Sequence, residues 1–217
     1  MSASQITAES PVDAFEVFRS RRSVRSYDPS HVIPREELKE ILELATRAPS
    51  SSNLQHWRFL VIDTPELKQQ LLPIANNQQQ VAEASAIIAV LGDTEGWRRA
   101  ETIYGEAAKA GYMPEDVARS FIERLTTNYS SLPPQRVREI AIVDASLVAM
   151  QLMLVARAKG YDTVPMGGYD KEKFKEAFGI PARYVPVMLL PIGKAAKSGH
   201  PTVRLPLDEV VHWNRFS

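Results

Sequence analysis

The chain has 217 residues, no cysteine, and equal numbers of acidic and basic residues, 26 of each. A chain of this length can bury the core of one ordinary domain without a disulfide or a structural metal. The absence of cysteine excludes disulfides, thiolate nucleophiles and cysteine-ligated metal sites, and the balanced charge provides no overall attraction to nucleic acid or to a membrane surface. The first residues, MSASQITAESPVDAF, lack the basic and apolar regions of a secretory signal, so we expect a cytoplasmic location.

The predicted elements alternate between helix and strand, which indicates a mixed α and β chain. Ser10 as cap and Pro11 at the first helical position, followed by Asp13, predict a first helix through VDAFEVFRS. A second helix follows Pro34, carries an apolar stripe, and ends before Pro49. Apolar runs predict strands at 58–62, 85–91 and 184–192, with further helices at 65–72 and 171–178.

Residues 97–134 differ from the rest of the chain, because aromatic side chains stand among many charged ones. The pattern predicts two helices broken at Gly111-Tyr112-Met113-Pro114. One interpretation is a solvated helical pair with aromatic side chains in the core. The other is a lid inserted into a single domain that spans residues 1–217.

A long apolar segment follows, and it predicts one helix from about Pro134 to Lys159. The run from Ile140 to Ala156 contains Asp144 and Gln151 and is shorter than the roughly 20 apolar residues that a membrane span needs. A helix that is apolar on most of its faces must be buried around most of its circumference. It would lie in a core or in a subunit interface. One domain of this size seldom encloses a helix so completely, so we expect a dimer interface.

Four polar clusters are candidate binding segments. The first, RRSVRSYD at residues 21–28, places three arginines within five residues, and guanidinium groups bind phosphate or carboxylate through paired N–H donors. A solvated basic turn is the alternative. The second cluster is APSSSNLQHW at 48–57, the third is NNQQQ at 76–80, and the fourth is PMGGYD at 165–170, where paired glycines would let a ligand approach the backbone. Each of these three is also compatible with an ordinary loop.

The order and spacing of these four clusters, followed by RLP at 204–206, resemble the FMN-dependent nitroreductase family. The resemblance covers about residues 15–206 and is weak in 97–134. It implies an α+β fold with a small, mostly antiparallel sheet flanked by helices. It also implies an intertwined homodimer whose C-terminal segments wrap the partner. The chain has no GxGxxG fingerprint, and the family does not use one.

The resemblance also implies where the flavin would bind. Arg21, with Arg22 and Ser23 beside it, matches the position that contacts the FMN phosphate or ribityl chain, although Arg22 could be an ordinary salt-bridge residue. Arg25 matches the basic residue at the pyrimidine edge of the flavin. A cation there stabilises the negative charge that hydride transfer leaves on N1 and O2.

The remaining clusters supply the other implied flavin contacts. In such enzymes the P-S-S-x-N loop reaches the flavin from the other subunit, and Gln80 stands where several relatives carry lysine. Some relatives have glutamate at the position of Gly167, and many have lysine at the position of Thr202. The implied cofactor-binding residues are Pro49, Ser50, Ser51, Asn53, Asn77, Gln80, Pro165, Met166, Gly167, Gly168 and Arg204.

The activity implied by the resemblance is reduction of nitroaromatics, quinones or related acceptors by NAD(P)H in a ping-pong mechanism. FMN would stay bound, and no side chain would be needed as a catalytic residue or metal ligand. Alternatives remain open at this point. They are a divergent reaction such as deiodination, a non-catalytic flavin or nucleotide binder, and a protein whose aromatic lid recognises a partner. Nucleic-acid binding is disfavoured by the zero net charge.

Overall fold

The computed structural model describes residues 13–216, which form nine α-helices, four β-strands and two short 3-10 turns within that range. The elements, in chain order, are α1 (Ala14–Ser20), α2 (Arg35–Ala45), a 3-10 turn (Ser51–Asn53), β1 (Trp57–Ile62), α3 (Pro65–Ile74), α4 (Gln80–Glu83), β2 (Ala86–Asp93), a second 3-10 turn (Gly96–Arg99), α5 (Ala100–Lys109), α6 (Glu115–Ser130), α7 (Pro134–Ala158), β3 (Asp162–Thr163), α8 (Lys171–Ala177), β4 (Tyr184–Gly193) and α9 (Leu207–Val210).

Helix α1 begins at Ala14, where the side chain of Asp13 accepts a hydrogen bond from Phe15 N at 2.9 Å. Asp13 therefore satisfies one of the free N–H groups at the helix start. The predicted cap Ser10 and the predicted first helical residue Pro11 lie outside the described residues.

The four strands form one antiparallel sheet in the order β1-β2-β4-β3. Strand β2 is buried along its whole length, and its register with β4 shifts between Val90 and Leu91. The three long strands begin and end within two residues of the predicted bounds. Strand β3 was not predicted, because two residues are too few to show a hydrophobic pattern. The small antiparallel sheet with flanking helices confirms the predicted α+β fold.

A hydrophobic core lies on each face of the sheet. One core joins the sheet to α2 and α7 through residues such as Ile41, Val148 and Leu152, all 0% exposed. The other joins it to α3 and α8 through Leu71 and Phe174. Helix α7 crosses β2 so closely that a Cβ at Gly92 would lie 2.9 Å from the carbonyl oxygen of Ala141. Only glycine leaves room for this approach.

Helix α7 is buried on one side only. Among residues 13–216 it is the one helix long and apolar enough to cross a membrane, and 44% of its most apolar window is buried inside the protein. Val143, Leu147 and Met150 lie on its other side and are 56%, 42% and 44% exposed. One chain therefore does not bury the whole circumference of the helix, as expected for a domain of this size. An uncovered apolar side remains, as the expected subunit interface requires.

Helices α5 and α6 form the predicted helical pair. The break falls between Lys109 and Glu115, and Gly111 has a φ of 75°. The pair has its own small core, which includes Tyr104, Leu125 and Tyr129. Aromatic side chains such as Tyr104 and Tyr129 fill this core, as the first interpretation of the sequence expects, and a role of the pair as a lid stays a prediction.

Residues 197–216, which we call the C-terminal arm, extend away from both main cores. Six apolar residues of the arm are largely exposed, among them Val203 at 94%, Trp213 at 82% and Phe216 at 86%. Residues 13–216 therefore provide no cover for these six apolar side chains.

Candidate functional site

Residues 21–28 lie along the edge of the sheet. Val24 N donates to Thr163 O of β3 at 3.1 Å, and Ser23 forms a parallel bridge with Thr163. On the other side, Ala196 N donates to Ser26 O at 2.9 Å. The segment is therefore held between β3 and the chain that follows β4.

Tyr27 fixes the end of this segment in the core. Its hydroxyl donates to Pro191 O at 3.2 Å, and its backbone N–H donates to a carboxylate oxygen of Glu83 at 3.1 Å. Burial raises the pKa of the Tyr27 hydroxyl well above its usual range. It therefore remains a neutral donor.

The three arginines have no carboxylate partner among the described residues. Arg22 donates through Nη1 to Arg19 O at 2.6 Å and to Arg21 O at 3.0 Å, and Arg25 lies 3.4 Å from Ser23 O. None of them forms a salt bridge within residues 13–216, whereas Arg35, Arg58 and Arg157 elsewhere do. Within the described residues Arg22 is therefore not an ordinary salt-bridge residue. A cluster of guanidinium groups without a carboxylate is available to an anion.

The base of the C-terminal arm covers part of this segment. A cleft of about 240 Å³ is lined by Ser23, Arg25 and Ser26 on one side and by residues 197–200 on the other. A Cβ at Gly199 would lie 2.6 Å from Arg22 Cβ and 2.9 Å from Ser23 O. Glycine at this position lets the arm lie directly against the arginines.

The chain from β3 continues into the glycine segment, residues 165–168. Met166 exchanges two backbone hydrogen bonds with Leu189 of β4, at 2.8 and 3.0 Å. Gly167 and Gly168 are exposed, and a Cβ added at either would meet no atom within 4 Å. The space in front of these glycines is open, so a planar ligand can approach their backbone.

The amide cluster 76–80 lies against the glycine segment. Asn76 Nδ2 and Gln78 Nε2 both donate to Gly168 O, at 2.9 and 3.0 Å. Asn76 and Asn77 have φ values of 56° and 53°, and Asn77 is exposed. Asparagine tolerates this left-handed conformation better than most residues.

Gln80 is placed differently from the other amides. It is 6% exposed, and its Nε2 donates to Gln78 Oε1 at 3.0 Å and lies 3.7 Å from Met166 Sδ. Gln80 thus supports the glycine segment from inside the protein. Its direct contact with a ligand stays a prediction.

Three of the predicted clusters therefore share one surface, which we call the binding face: residues 21–25, 76–80 and 165–168. Backbone bonds through β3 and β4 hold the first and third clusters side by side, and side-chain amides attach the second. The binding face has guanidinium groups at one end and amides at the other, with exposed glycines beside them. This arrangement suits a planar ligand with an anionic tail.

The serine loop, residues 49–53, is anchored elsewhere. Ser51 donates through N and Oγ to Asp144 of α7, and Tyr104 of α5 donates to Ser52 O at 2.8 Å. Burial raises the pKa of the Tyr104 hydroxyl, so it remains a donor. No hydrogen bond in residues 13–216 joins this loop to the binding face. It borders a separate polar cleft of about 500 Å³ instead, lined by residues that include Arg47, Asn53 and Gln55.

Asp144 and His56 are two buried polar residues of this region that the sequence analysis did not assign to the site. Asp144 was used only as an argument against a membrane span. A carboxylate in an otherwise apolar helix must find donors, and this signal could have identified Asp144 without identifying its partners.

Arg204 lies in the C-terminal arm and is exposed. Its Nη1 donates to Thr202 Oγ1 at 2.7 Å and to Val203 O at 2.8 Å. The predicted site residues of one chain therefore fall into three places: the binding face, the serine loop and the arm.

The sequence and the fold are similar to those of known proteins. The model of the nitroreductase family matches residues 18–194. YdgI of Bacillus subtilis (strain 168), provisionally named an NAD(P)H nitroreductase, is 53% identical over 203 residues, which are 93% of this chain and 97% of YdgI. The CLA biosynthesis enone reductase of Lactiplantibacillus plantarum is 38% identical over 195 residues, 88% of this chain and 90% of that protein.

A solved structure extends the likeness to three dimensions. The crystal structure of a provisionally named nitroreductase from Exiguobacterium sibiricum 255-15, in complex with FMN, has a TM-score of 0.92 and 48% sequence identity. The alignment covers 96% of this chain and 100% of that one. With the family model matching most of the chain and the fold shared throughout, the protein belongs to the nitroreductase family.

Proposed function

We propose that the protein is an FMN-dependent oxidoreductase that takes electrons from NAD(P)H and passes them to nitroaromatic, quinone or related acceptors. The observation that carries the proposal is the binding face. It combines arginines that lack a carboxylate partner within residues 13–216 with an open glycine segment and a fixed set of amides.

The residues of the binding face fit FMN chemically. Arg21 would bind the phosphate, since a guanidinium donates two N–H groups to two oxygens. Arg25 would place a cation near the pyrimidine edge, and Asn77 would donate to or accept from the ring. The exposed backbone at Gly167 and Gly168 would face the ring system without a side chain in the way.

Bound FMN would supply hydride transfer from the nicotinamide and electron transfer to the acceptor, in two half-reactions of a ping-pong cycle. The residues of the chain would position the flavin and stabilise the charge that develops on it. The charge of Arg25 would stabilise negative charge that develops beside it, and the amides of Asn76 and Gln78 hold the Gly168 carbonyl in a fixed orientation. Protons can come from solvent, so we assign no catalytic side chain.

We further propose that the functional unit is a homodimer in which the serine loop and the arm complete the site of the partner. The uncovered apolar side of α7, the exposed apolar residues of the arm and the separation of the serine loop from the binding face support this proposal. The helical pair α5 and α6 would act as a lid beside that loop, because Tyr104 links the two.

Initial-rate kinetics test the mechanism. Rates are measured anaerobically over a grid of NADH or NADPH and acceptor concentrations, with a nitroaromatic, a quinone and an enone as acceptors. The enone is included because one relative is named an enone reductase. Parallel double-reciprocal lines are expected. Intersecting lines would contradict ping-pong turnover, and bound flavin without turnover of any acceptor would favour the non-catalytic binder.

A further inference from the structure

A buried carboxylate and a buried imidazole lie under the serine loop, and the proposed reaction uses neither. Asp144, in the middle of α7, is 1% exposed, and His56 is 0% exposed. His56 Nδ1 and Asp144 Oδ2 are 2.8 Å apart. Asp144 has no other ion-pair partner within residues 13–216.

The carboxylate of Asp144 also binds the serine loop. Ser51 N lies 3.0 Å from Oδ1 and 3.1 Å from Oδ2, and Ser51 Oγ donates to Oδ1 at 2.9 Å. Asp144 can only accept hydrogen bonds when ionised, so all three donors converge on it. One side chain thus ties α7 to both ends of the segment from Ser51 to His56.

The ring of His56 is locked in place. Nδ1 donates to Asp144, while Nε2 is buried and has no partner in the described residues. The ring stacks on Tyr129 with 5.4 Å between centroids, and a Cβ at Gly96 would lie 2.7 Å from His56 Cδ2. His56 O also accepts from Asp93 N at the end of β2, at 3.0 Å. The imidazole therefore presents a donor to Asp144 from a rigid position.

The loop between these anchors needs support. Ser52, Asn53 and Gln55 have φ values of 50°, 51° and 52°. Residues other than glycine seldom adopt this backbone region. Such a backbone persists only where its surroundings hold it. The bonds from Ser51 and His56 to Asp144 provide that restraint on the core side.

We propose that Asp144 and His56 are positioning residues, which hold the serine loop in the conformation that binds FMN without touching the flavin themselves. The inference deepens the proposed function and rests on it. It predicts that flavin affinity depends on a hydrogen-bond donor at position 56, even though this residue is fully buried.

The test compares two substitutions at that position. His56→Leu removes the donor and leaves the Asp144 carboxylate with fewer bonds, while His56→Asn keeps an amide N–H near the place of Nδ1. The Kd of FMN is measured by flavin fluorescence on the flavin-free dimer, together with visible circular dichroism of the bound flavin. Ser146→Ala on the same helix is the control, since within residues 13–216 the Ser146 hydroxyl bonds only to Ile142 O.

We expect His56→Leu to raise the Kd of FMN roughly tenfold or more, because a buried charged group loses a donor. His56→Asn should restore much of the affinity and the wild-type dichroism, and Ser146→Ala should match the wild type. Asp144→Asn keeps an oxygen for Ser51, so its Kd for FMN should lie between those of His56→Leu and the wild type. It provides a second test if His56→Leu does not fold.

Two outcomes would overturn the inference: equal affinity in His56→Leu and the wild type, or equal loss in His56→Asn and His56→Leu. If the wild-type chain takes up no FMN, the proposed function itself fails. The two failures are therefore distinguishable in one set of titrations.

Discussion

The arginines of residues 21–25 have different surroundings from Arg35, Arg58 and Arg157. Arg35, Arg58 and Arg157 each have a carboxylate within 4.0 Å, whereas Arg21, Arg22 and Arg25 have none in the described residues. The side chains of Arg22 and Arg25 bond to backbone carbonyls. The sequence showed the cluster, and the structure shows that the cluster is not neutralised within residues 13–216.

Replacing Arg21 and Arg204 together with alanine should weaken FMN binding by roughly one hundredfold or more. Each charge-assisted bond to the phosphate is worth about 1.5–3 kcal/mol. Binding of riboflavin, which lacks the phosphate, should change little. Both affinities are measured by fluorescence titration at one salt concentration.

The matched control for the arginine variant is Lys39→Ala with Lys173→Ala. It removes two positive charges at exposed positions that pair only with neighbouring acids on the surface. Full flavin occupancy in the arginine variant would show that the phosphate assignment is wrong.

Sequence reasoning at the residue scale was limited by long-range pairing. The sequence pattern located the serine loop. The carboxylate that fixes it, Asp144, lies 93 residues from Ser51 and 88 residues from His56 along the chain. Likewise, the sequence placed Gln80 in a polar cluster, and only packing against Met166 shows that its side chain turns inward.

At the scale of elements, prediction succeeded where local pattern and burial agree. The strands β1, β2 and β4 are apolar runs bounded by loops, so their bounds follow from the sequence. The two-residue strand β3 exists because residues 21–24 and β4 lie beside it. Tertiary pairing of this kind leaves no periodic signal in the sequence.

If the helical pair α5 and α6 is a lid, Tyr104, Tyr112 or Phe121 would border the acceptor, and the three residues lie in different surroundings. Tyr104 is 8% exposed and bonds to Ser52 O, and the ring of Phe121 lies tilted against it with 5.4 Å between centroids. Tyr112 is 84% exposed at the break between the helices. The contacts of Tyr104 thus serve the serine loop, while Tyr112 is free to meet a small molecule or a second chain.

Substitution of the lid aromatics should separate these roles. Phe121→Ala and Tyr112→Ala should raise the KM for the acceptor and leave FMN affinity unchanged. Tyr104→Phe should lower the free energy of unfolding by about 1 kcal/mol, because the bond to the Ser52 carbonyl is lost. Steady-state kinetics and chemical unfolding provide the measurements. Unchanged acceptor kinetics in Phe121→Ala, Tyr112→Ala and Tyr104→Ala would dispose of the lid hypothesis.

At the scale of the whole molecule, one chain leaves its apolar surfaces incomplete. Phe15 and Phe18 of α1 are 65% and 57% exposed, and an apolar groove of about 320 Å³ lies between α1 and α7. The uncovered side of α7 and the C-terminal arm add to this surface. In the proposed homodimer, a second copy of the chain would cover these surfaces in a two-fold arrangement.

Mixing two defective chains tests whether the site is shared. Arg21→Ala damages the binding face, and Asn53→Gly removes a serine-loop side chain while keeping its positive φ accessible. Each variant alone should bind FMN weakly. Unfolding and refolding them together should restore one intact site in every mixed dimer, about a quarter of all sites in a statistical mixture.

Flavin absorbance after gel filtration counts the restored sites, and separately refolded variants serve as controls. If each chain built its site from its own serine loop, mixing would restore none. A flavin-loaded monomer would also contradict the shared site.

An anaerobic visible spectrum of the purified protein, before and after addition of NADH or NADPH, tests the central claim most directly. Mass analysis of the released chromophore accompanies it. We expect the bands of oxidised flavin, a chromophore with the mass of FMN, and bleaching on addition of the reduced nicotinamide. A colourless protein that takes up no added FMN would contradict the account, and bound FMN that resists bleaching would contradict its assignment as an NAD(P)H oxidoreductase.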